Sequence, residues 1–153
     1  MASPQIFGPN LNQVDKPEHL NTSSEVLFNL FFRSDPPNQS LYHAPGWIDV
    51  RDVAAAHAVA LEKEAAANER IIIAGESVPY QEYIEAAKRV AGSLGIKGVR
   101  TGIPDYDRSK ANSFVLFKPE KRERILGIKI TSLDDSVRDA LADYKARGWV
   151  TAA

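Results

Sequence analysis

The sequence predicts one α/β domain over residues 1–153, with a small parallel sheet flanked by helices. Short apolar runs of strand length alternate with longer segments whose apolar residues recur at helical spacing. Three consecutive isoleucines, Ile71 to Ile73, stand just before Ala74 and Gly75, a pattern typical of a strand buried on both faces in a parallel sheet. The length suits one domain of ordinary size.

Composition narrows the functional classes. The chain has no cysteine, so it can form neither a disulfide nor a thiolate nucleophile, and its three histidines lack metal-ligand spacing. The formal net charge of -1 gives no reason to expect nucleic acid or an anionic membrane as partner. Neither a bilayer-spanning apolar run nor a leader-like start is present. We therefore expect a cytoplasmic protein with no metal site.

The first elements are a strand and an apolar helix. Gln5-Ile6-Phe7 is a predicted strand, ended by the turn signal Gly8-Pro9. Thr22 to Glu25 has the form of a capping box and predicts a helix over residues 24–33. Apolar side chains, three of them phenylalanines, cover most of its circumference. This distribution predicts burial on several sides or at an interface.

Residues 46–62 are the central element. Trp47 to Val50 alternates as a half-buried strand does, and Asp52 has the type and position of a helix N-cap. His57 lies on the apolar face of the predicted helix, so we expect a packed core histidine. The remaining predicted elements are a strand over 70–75, a helix capped by Ser77, a strand over 99–101, a basic helix between Pro119 and Gly127, and a last helix capped by residues 131–134.

Two motifs imitate cofactor-binding signatures. Residues 92–98 fit Gly-x-x-Gly-x-x-Gly, but they follow a predicted helix instead of opening one, so a helix end and turn is expected. Tyr106 and Lys110 fit Tyr-x-x-x-Lys, but Pro104 and Ser109 favour a loop, which would not place both side chains on one helical face.

Several segments, in their order and spacing, resemble one enzyme family. They are residues 4–9, 20–24, 46–62, 71–75 and 121–133. Together they are similar to the substrate-binding half of extended short-chain dehydrogenases/reductases, in the branch of dihydroflavonol reductases and fungal ketone reductases. In that family the segment matching Pro4 to Pro9 passes the nicotinamide. The family's glycine-rich loop and catalytic Ser and Tyr-x-x-x-Lys have no counterparts here, so the resemblance implies no bound cofactor.

Candidate site residues come from the polar and aromatic groups near the expected cleft. The catalytic candidates are His43, Tyr42, Asp49 and Tyr106, and the substrate-binding candidates are Asn10, Trp47, Arg51, Tyr80 and Asp105. A loop histidine suits acid/base work near neutral pH, although an exposed loop residue explains His43 equally well. An ion pair plus a helix cap is the structural alternative for Asp49 and Arg51.

Three functions remain open at this point. The first is an enzyme with a small-molecule pocket, for example for a phenolic or polyketide-like compound, and non-redox acid/base chemistry of the isomerase, cyclase or dehydratase type. The second is a non-catalytic binding or partner module, and the third is a fragment of an NADPH-dependent carbonyl reductase. We also expect a homodimer through the N-terminal strand and the helix of Phe28, Phe31 and Phe32, because that helix is too apolar for one small core.

Overall fold

Two short parallel strands carry the fold. The computed structural model describes residues 1–33 and 37–151. Strand β1, Gln5–Phe7, pairs with β2, Trp47–Asp49, in a register that sets Ile6 beside Ile48. The α-helices of the described residues are α1 Thr22–Phe32, α2 Val50–Glu62, α3 Tyr80–Ala91, α4 Glu120–Leu126 and α5 Leu133–Ala146. The predicted α/β class with a small parallel sheet is confirmed.

The isoleucine run does not form a strand of this sheet. Ile72 forms an isolated parallel bridge with Ala2, and Gly75 N–H donates to the Trp47 carbonyl. Ile71 and Ile73 are 1% exposed, whereas Ile72 is 42% exposed. The prediction of a strand buried on both faces is therefore wrong, because the protein covers only one face.

Helix α1 begins earlier than predicted. Its N-cap is Asn21, whose side-chain oxygen accepts a hydrogen bond from Ser24 N–H at 3.3 Å, so the capping box starting at Thr22 is wrong. Phe28 and Phe31 are buried within this chain, Phe31 completely. Burial on several sides is confirmed. The apolar surface from which we expected a dimer is thus covered by the chain's own core, and the oligomeric state stays a prediction.

The hydrophobic core has two parts. The larger one lies between α1, α3 and α5, where Phe28 meets Tyr144 edge-on with ring centroids 5.3 Å apart. The smaller one contains Ile48 of β2 with side chains from the isoleucine run and α4, and part of α2 packs against it. The sheet lies between these two cores, so its strand ends are fixed from both sides.

Helix α2 begins at a different carboxylate from the predicted one. Asp49 is the N-cap and accepts a hydrogen bond from Arg51 N–H at 2.8 Å. Asp52 instead accepts hydrogen bonds from the Thr131 backbone N–H and hydroxyl, at 2.9 and 2.8 Å, and so ties α2 to the segment before α5. His57 is exposed, with Nδ1 2.8 Å from the Val53 carbonyl oxygen, so the packed-histidine prediction is wrong.

The second half of the chain is only partly as predicted. Ser77 does not cap α3, which begins after Pro79. The Ser77 hydroxyl instead donates a hydrogen bond to the Val115 carbonyl and accepts one from the Val115 N–H. Residues 99–101 form no strand. The short helix ending at Gly127 and the last helix, capped by Ser132, are confirmed. The glycines of residues 92–98 follow the end of α3, as expected of a helix end and turn.

Candidate functional site

The carboxyl ends of β1 and β2 lie side by side, and the loop after β1 passes close to β2. Gly8 follows β1 with a φ of +119°, and a Cβ atom there would lie 2.9 Å from Asp49 Oδ2. Both the backbone conformation and the space therefore require glycine. In open parallel sheets, ligands bind outside the carboxyl ends of the strands, so this edge is the first place to look for a site.

A small cavity of about 220 Å³ opens at this edge, and we call it the edge cavity. Three parts of the chain form its wall: the end of β1 with the following loop, the first turn of α1, and the first residue of α2. The lining residues are Ile6, Phe7, Gly8, Pro9, Asn10, Leu11, Asn12, Asn21, Ser23, Ser24 and Val50. The edge cavity thus combines the strand ends with a helix N-terminus, which favours an electron-rich ligand atom.

Asn10 is the buried polar residue of the edge cavity. It is 4% exposed. Its side-chain oxygen accepts a hydrogen bond from Asn12 N–H at 3.2 Å, whereas its Nδ2 has no partner among the described residues. The Nδ2 atom has less than 1 Å² of accessible surface, so this unpaired donor does not face the open space of the edge cavity.

The end of α5 holds the loop that carries Asn10. Asp143 accepts a hydrogen bond from Asn10 N–H at 3.2 Å, and Arg147 Nη2 donates to the Asn10 carbonyl at 2.6 Å. Arg147 also pairs with Asp143 at 3.0 Å, and Trp149 Nε1 donates to the Asp15 carbonyl at 3.2 Å. We call Asp143, Arg147 and Trp149 the latch. It fixes the loop after β1 from the far end of the chain.

Two other predicted site residues, Asp49 and Arg51, form a charge cluster with Asp139. The Asp49 side chain is fully buried, and Arg51 binds it through Nε and Nη2 at 2.8 and 2.9 Å while Nη1 reaches Asp139 at 2.6 Å. Burial alone would raise the pKa of Asp49, but hydrogen bonds from Arg51 and Ser136 outweigh it and hold that pKa below its usual value. Every contact in this cluster fits the interpretation of an ion pair with a cap.

The aromatic candidates and His43 form two pairs of contacting rings. Tyr42 stacks on Tyr106 with ring centroids 5.3 Å apart, and His43 meets Tyr80 edge-on at 5.6 Å. The Tyr80 hydroxyl exchanges hydrogen bonds with the side chain of Gln5, the first residue of β1. Burial raises the pKa of Tyr80 and that of Tyr106, which disfavours their anions at neutral pH.

None of the remaining candidates lines the edge cavity. Trp47, at the start of β2, is 3% exposed and packs against Tyr83 with ring centroids 6.1 Å apart, so it belongs to the core. Asp105 is exposed, with a φ of +52° in the loop before Tyr106. The structure therefore divides the predicted site residues into the edge cavity, the charge cluster, and the aromatic group with its neighbours.

The structure has a further cavity, of about 580 Å³, that the sequence analysis did not predict. It lies next to Phe114 to Phe117 and Ile130, and it also contacts Arg122, which is 7% exposed and donates to the Ala74 carbonyl. Phe114, Val115 and Leu116 are all at least half exposed. The apolar run in the sequence was the available signal, but it did not reveal which side chains face solvent.

The described residues contain no cluster of three or more histidine, cysteine or acidic side chains that could hold a metal ion. Within residues 1–33 and 37–151, no helix is long and apolar enough to cross a membrane.

The known proteins that resemble this chain include several reductases. No family model matches the chain. The NADPH-dependent methylglyoxal reductase GRE2 of Saccharomyces cerevisiae is 30% identical over 135 residues, 88% of this chain and 39% of that protein. Cinnamoyl-CoA reductase CAD2 of Medicago truncatula is 27% identical over 93% of this chain and 39% of its own length.

A solved structure agrees with the sequence matches. Gre2 of Candida albicans, in complex with NADPH, superposes with a TM-score of 0.70 at 29% identity and covers 95% of this chain. The chain spans about two fifths of the length of the relatives it matches, 39% to 42%. The homologues of this chain are therefore reductases of the extended short-chain dehydrogenase/reductase family, and the chain is similar to their C-terminal part.

Proposed function

We propose that this chain forms the substrate-binding part of an NADPH-dependent reductase of carbonyl compounds. The observation that carries the proposal is the match of almost the whole chain, in sequence and in fold, to one part of such reductases. The edge cavity supports it, because it lies where parallel sheets bind ligands. The relatives are reductases, and they give no support to the alternative of a non-redox isomerase, cyclase or dehydratase.

The edge cavity does not fit a whole dinucleotide. The edge cavity, about 220 Å³, is smaller than the 300 Å³ or so at which pockets for drug-sized ligands begin. The glycines of residues 92–98 follow the C-terminal end of α3 and so do not present the helix N–H groups that bind a pyrophosphate. We therefore assign no step of hydride transfer to residues of this chain, and we expect the chain alone to bind no NADPH.

A chimera tests the proposal. The part of Candida albicans Gre2 that precedes the matched region is joined to residues 1–153, and NADPH oxidation is followed with methylglyoxal and with larger aldehydes and ketones. The controls are each part alone. We expect oxidation by the chimera only, with a substrate preference different from that of Gre2, because this chain supplies the substrate contacts.

Two results would contradict the proposal. One is a folded chimera that binds NADPH but reduces none of the carbonyl compounds. The other is binding of NADPH by the present chain alone in a calorimetric titration at micromolar affinity, which would mean that it contains a nucleotide site of its own.

A further inference from the structure

We propose that the cavity of about 580 Å³ binds an apolar organic carboxylate, whose negative group pairs with the buried Arg122. We call this cavity the arginine cavity. The site is independent of the proposed function, because the arginine cavity and the edge cavity share no lining residue. Three features support it: the apolar walls, the burial of Arg122, and the exposure of the one acidic partner of that arginine.

The walls of the arginine cavity are mostly apolar and are joined to each other. Residues 74–77 and 114–117 line it, together with Ile130. The Ser77 hydroxyl links the two segments, because it donates to the Val115 carbonyl at 2.9 Å and accepts from the Val115 N–H at 3.0 Å. The volume lies within the range of about 300–1,000 Å³ that is usual for ligand pockets. The cavity therefore offers an apolar surface of the size that a small organic molecule covers.

Arg122 is the buried charge of this cavity. It is 7% exposed, although arginine is almost never fully buried unless it is paired. Its Nη1 donates to the Ala74 carbonyl, which has no net charge, and its Nη2 lies 3.2 Å from Glu123 Oε1. The Glu123 side chain is 60% exposed. Because a solvated carboxylate compensates a buried cation only weakly, Arg122 favours a further anion that is less solvated.

Arg51 shows the contrast. Its side chain is 44% exposed, yet it pairs with the fully buried side chain of Asp49 and with Asp139, which is 27% exposed. The more deeply buried of the two arginines thus has the weaker acidic partner. The stability of the fold alone does not account for this arrangement, whereas a ligand anion at Arg122 does.

The Nη2 atom of Arg122 is the atom that a ligand meets. The Nε atom is enclosed and has no partner among the described residues, so it is not available to a ligand. An oxygen of Glu123 already reaches Nη2 from an exposed side chain, and both residues line the arginine cavity. A carboxylate in the cavity therefore takes the place of Glu123, which turns to solvent, while the apolar part of the ligand contacts Phe114 and Phe117.

The other charged groups restrict the ligand to a single negative charge. Arg108 also lines the cavity, but it is paired with Glu82 at 3.1 Å. Glu76 lines the cavity as well and opposes an anion, although its exposure to water screens its charge. The chemical class that suits these charges is a monocarboxylate with an aryl or alkyl body, because it offers one anionic group to Arg122 and no second one near Glu76.

Calorimetric titration of the full chain with 4-phenylbutyrate and with 4-phenylbutyramide tests this site. The two probes have nearly the same shape and differ in charge. We expect the carboxylate to bind about tenfold more tightly than the amide, the difference that one charged hydrogen bond supplies. In the ¹⁵N-labelled chain, the backbone N–H resonances of residues 114–117 should shift with the same saturation in NMR.

Glu123→Gln is the decisive variant, because it removes the exposed competitor for Arg122 and changes a side chain that lies mostly in solvent. It should tighten 4-phenylbutyrate binding about two- to fivefold, which corresponds to the loss of one surface ion pair, and leave amide binding unchanged. Glu120→Gln is the matched control, since Glu120 is an exposed residue of α4 that does not line the arginine cavity. It makes the same change of charge and should alter neither affinity. Arg122→Gln should lower the affinity for the carboxylate to that for the amide.

The assignment is overturned if neither probe shows saturable binding, if the carboxylate and the amide bind equally, or if residues 114–117 do not respond. It is also overturned if Glu123→Gln fails to tighten carboxylate binding, or if Glu120→Gln has the same effect. If Arg122→Gln does not fold, the comparison of Glu123→Gln with Glu120→Gln decides alone. The activity of the chimera concerns the reductase function only, so either conclusion can fail without the other.

Discussion

Replacing Asp49 with asparagine should keep the helix cap at the start of α2 but remove the negative charge. Asp49 is fully buried and accepts three hydrogen bonds from Arg51, through its backbone N–H, Nε and Nη2. Asparagine keeps one oxygen for the cap, but its NH₂ group would face a guanidinium donor. We expect the free energy of unfolding at pH 7 to fall by about 2–3 kcal/mol, because charged hydrogen bonds are each worth about 1.5–3 kcal/mol and the Arg51 side chain is 44% exposed.

The loss should depend on pH with a definite sign. The pKa of Asp49 is held below its usual value in the folded protein. Its stabilising contribution is thus fully present above the unfolded pKa of about 3.9, and it is lost as the pH falls through the lower folded pKa. The gap between the unmodified protein and Asp49→Asn should therefore be widest above about pH 5 and shrink as the pH falls below the unfolded value.

Urea denaturation at several pH values measures this difference. Asp49→Ala should destabilise by about 1 kcal/mol more, because the cap is also lost. Asp139→Asn is the matched control: it removes a partly exposed contact of the same arginine and should cost less than about 1 kcal/mol. If Asp49→Asn lowers the free energy of unfolding by the same amount at pH 7 and at the lowest pH measured, the stabilisation does not come from the charge of Asp49.

Three further predictions concern single side chains. Phe31→Ala should lower the free energy of unfolding by about 3–5 kcal/mol, because the ring is fully buried, and leave the mass in light scattering unchanged; a lower mass with stability retained would place Phe31 at a dimer interface instead. His57→Ala should change stability by less than about 0.5 kcal/mol, as for an exposed helix residue, and a larger loss by thermal melting would contradict the exposed position. Tyr83→Phe removes a buried hydroxyl without a partner and should leave the melting temperature equal or higher; a clear decrease would indicate that the hydroxyl is hydrogen-bonded in solution.

The helix ends that depend on nearby residues could be predicted from the sequence. Pro119 and Gly127 bound α4, and Ser132 caps α5, because a fixed φ, a left-handed turn and a short side-chain acceptor act within a few residues. The isoleucine run was misjudged for the opposite reason. Its apolar side chains indicate that the segment is buried, but the number of its faces that are covered depends on the elements packed around it.

The candidate site was harder to predict. Asn10 was named as a binding residue, but its partners Asp143 and Arg147 are more than 130 positions away, and no local pattern joins them. His57 was misplaced because apolar spacing gives the face of a helix but not its neighbours. The choice between Asp49 and Asp52 as the cap turned on where β2 ends, and strand ends are among the least certain features of a sequence.

The latch also affects the order in which parts of the chain fold. Its contact between Asn10 and Arg147 closes a loop of 137 positions, so it cannot form until Arg147 has been synthesised. At about 5–20 residues per second, this interval is roughly 7–27 s. Contacts so distant in sequence also form late during refolding, because closing a long loop is entropically unfavourable until other contacts have shortened it. The loop that carries Asn10 should therefore be among the last parts of the protein to gain protection from hydrogen exchange.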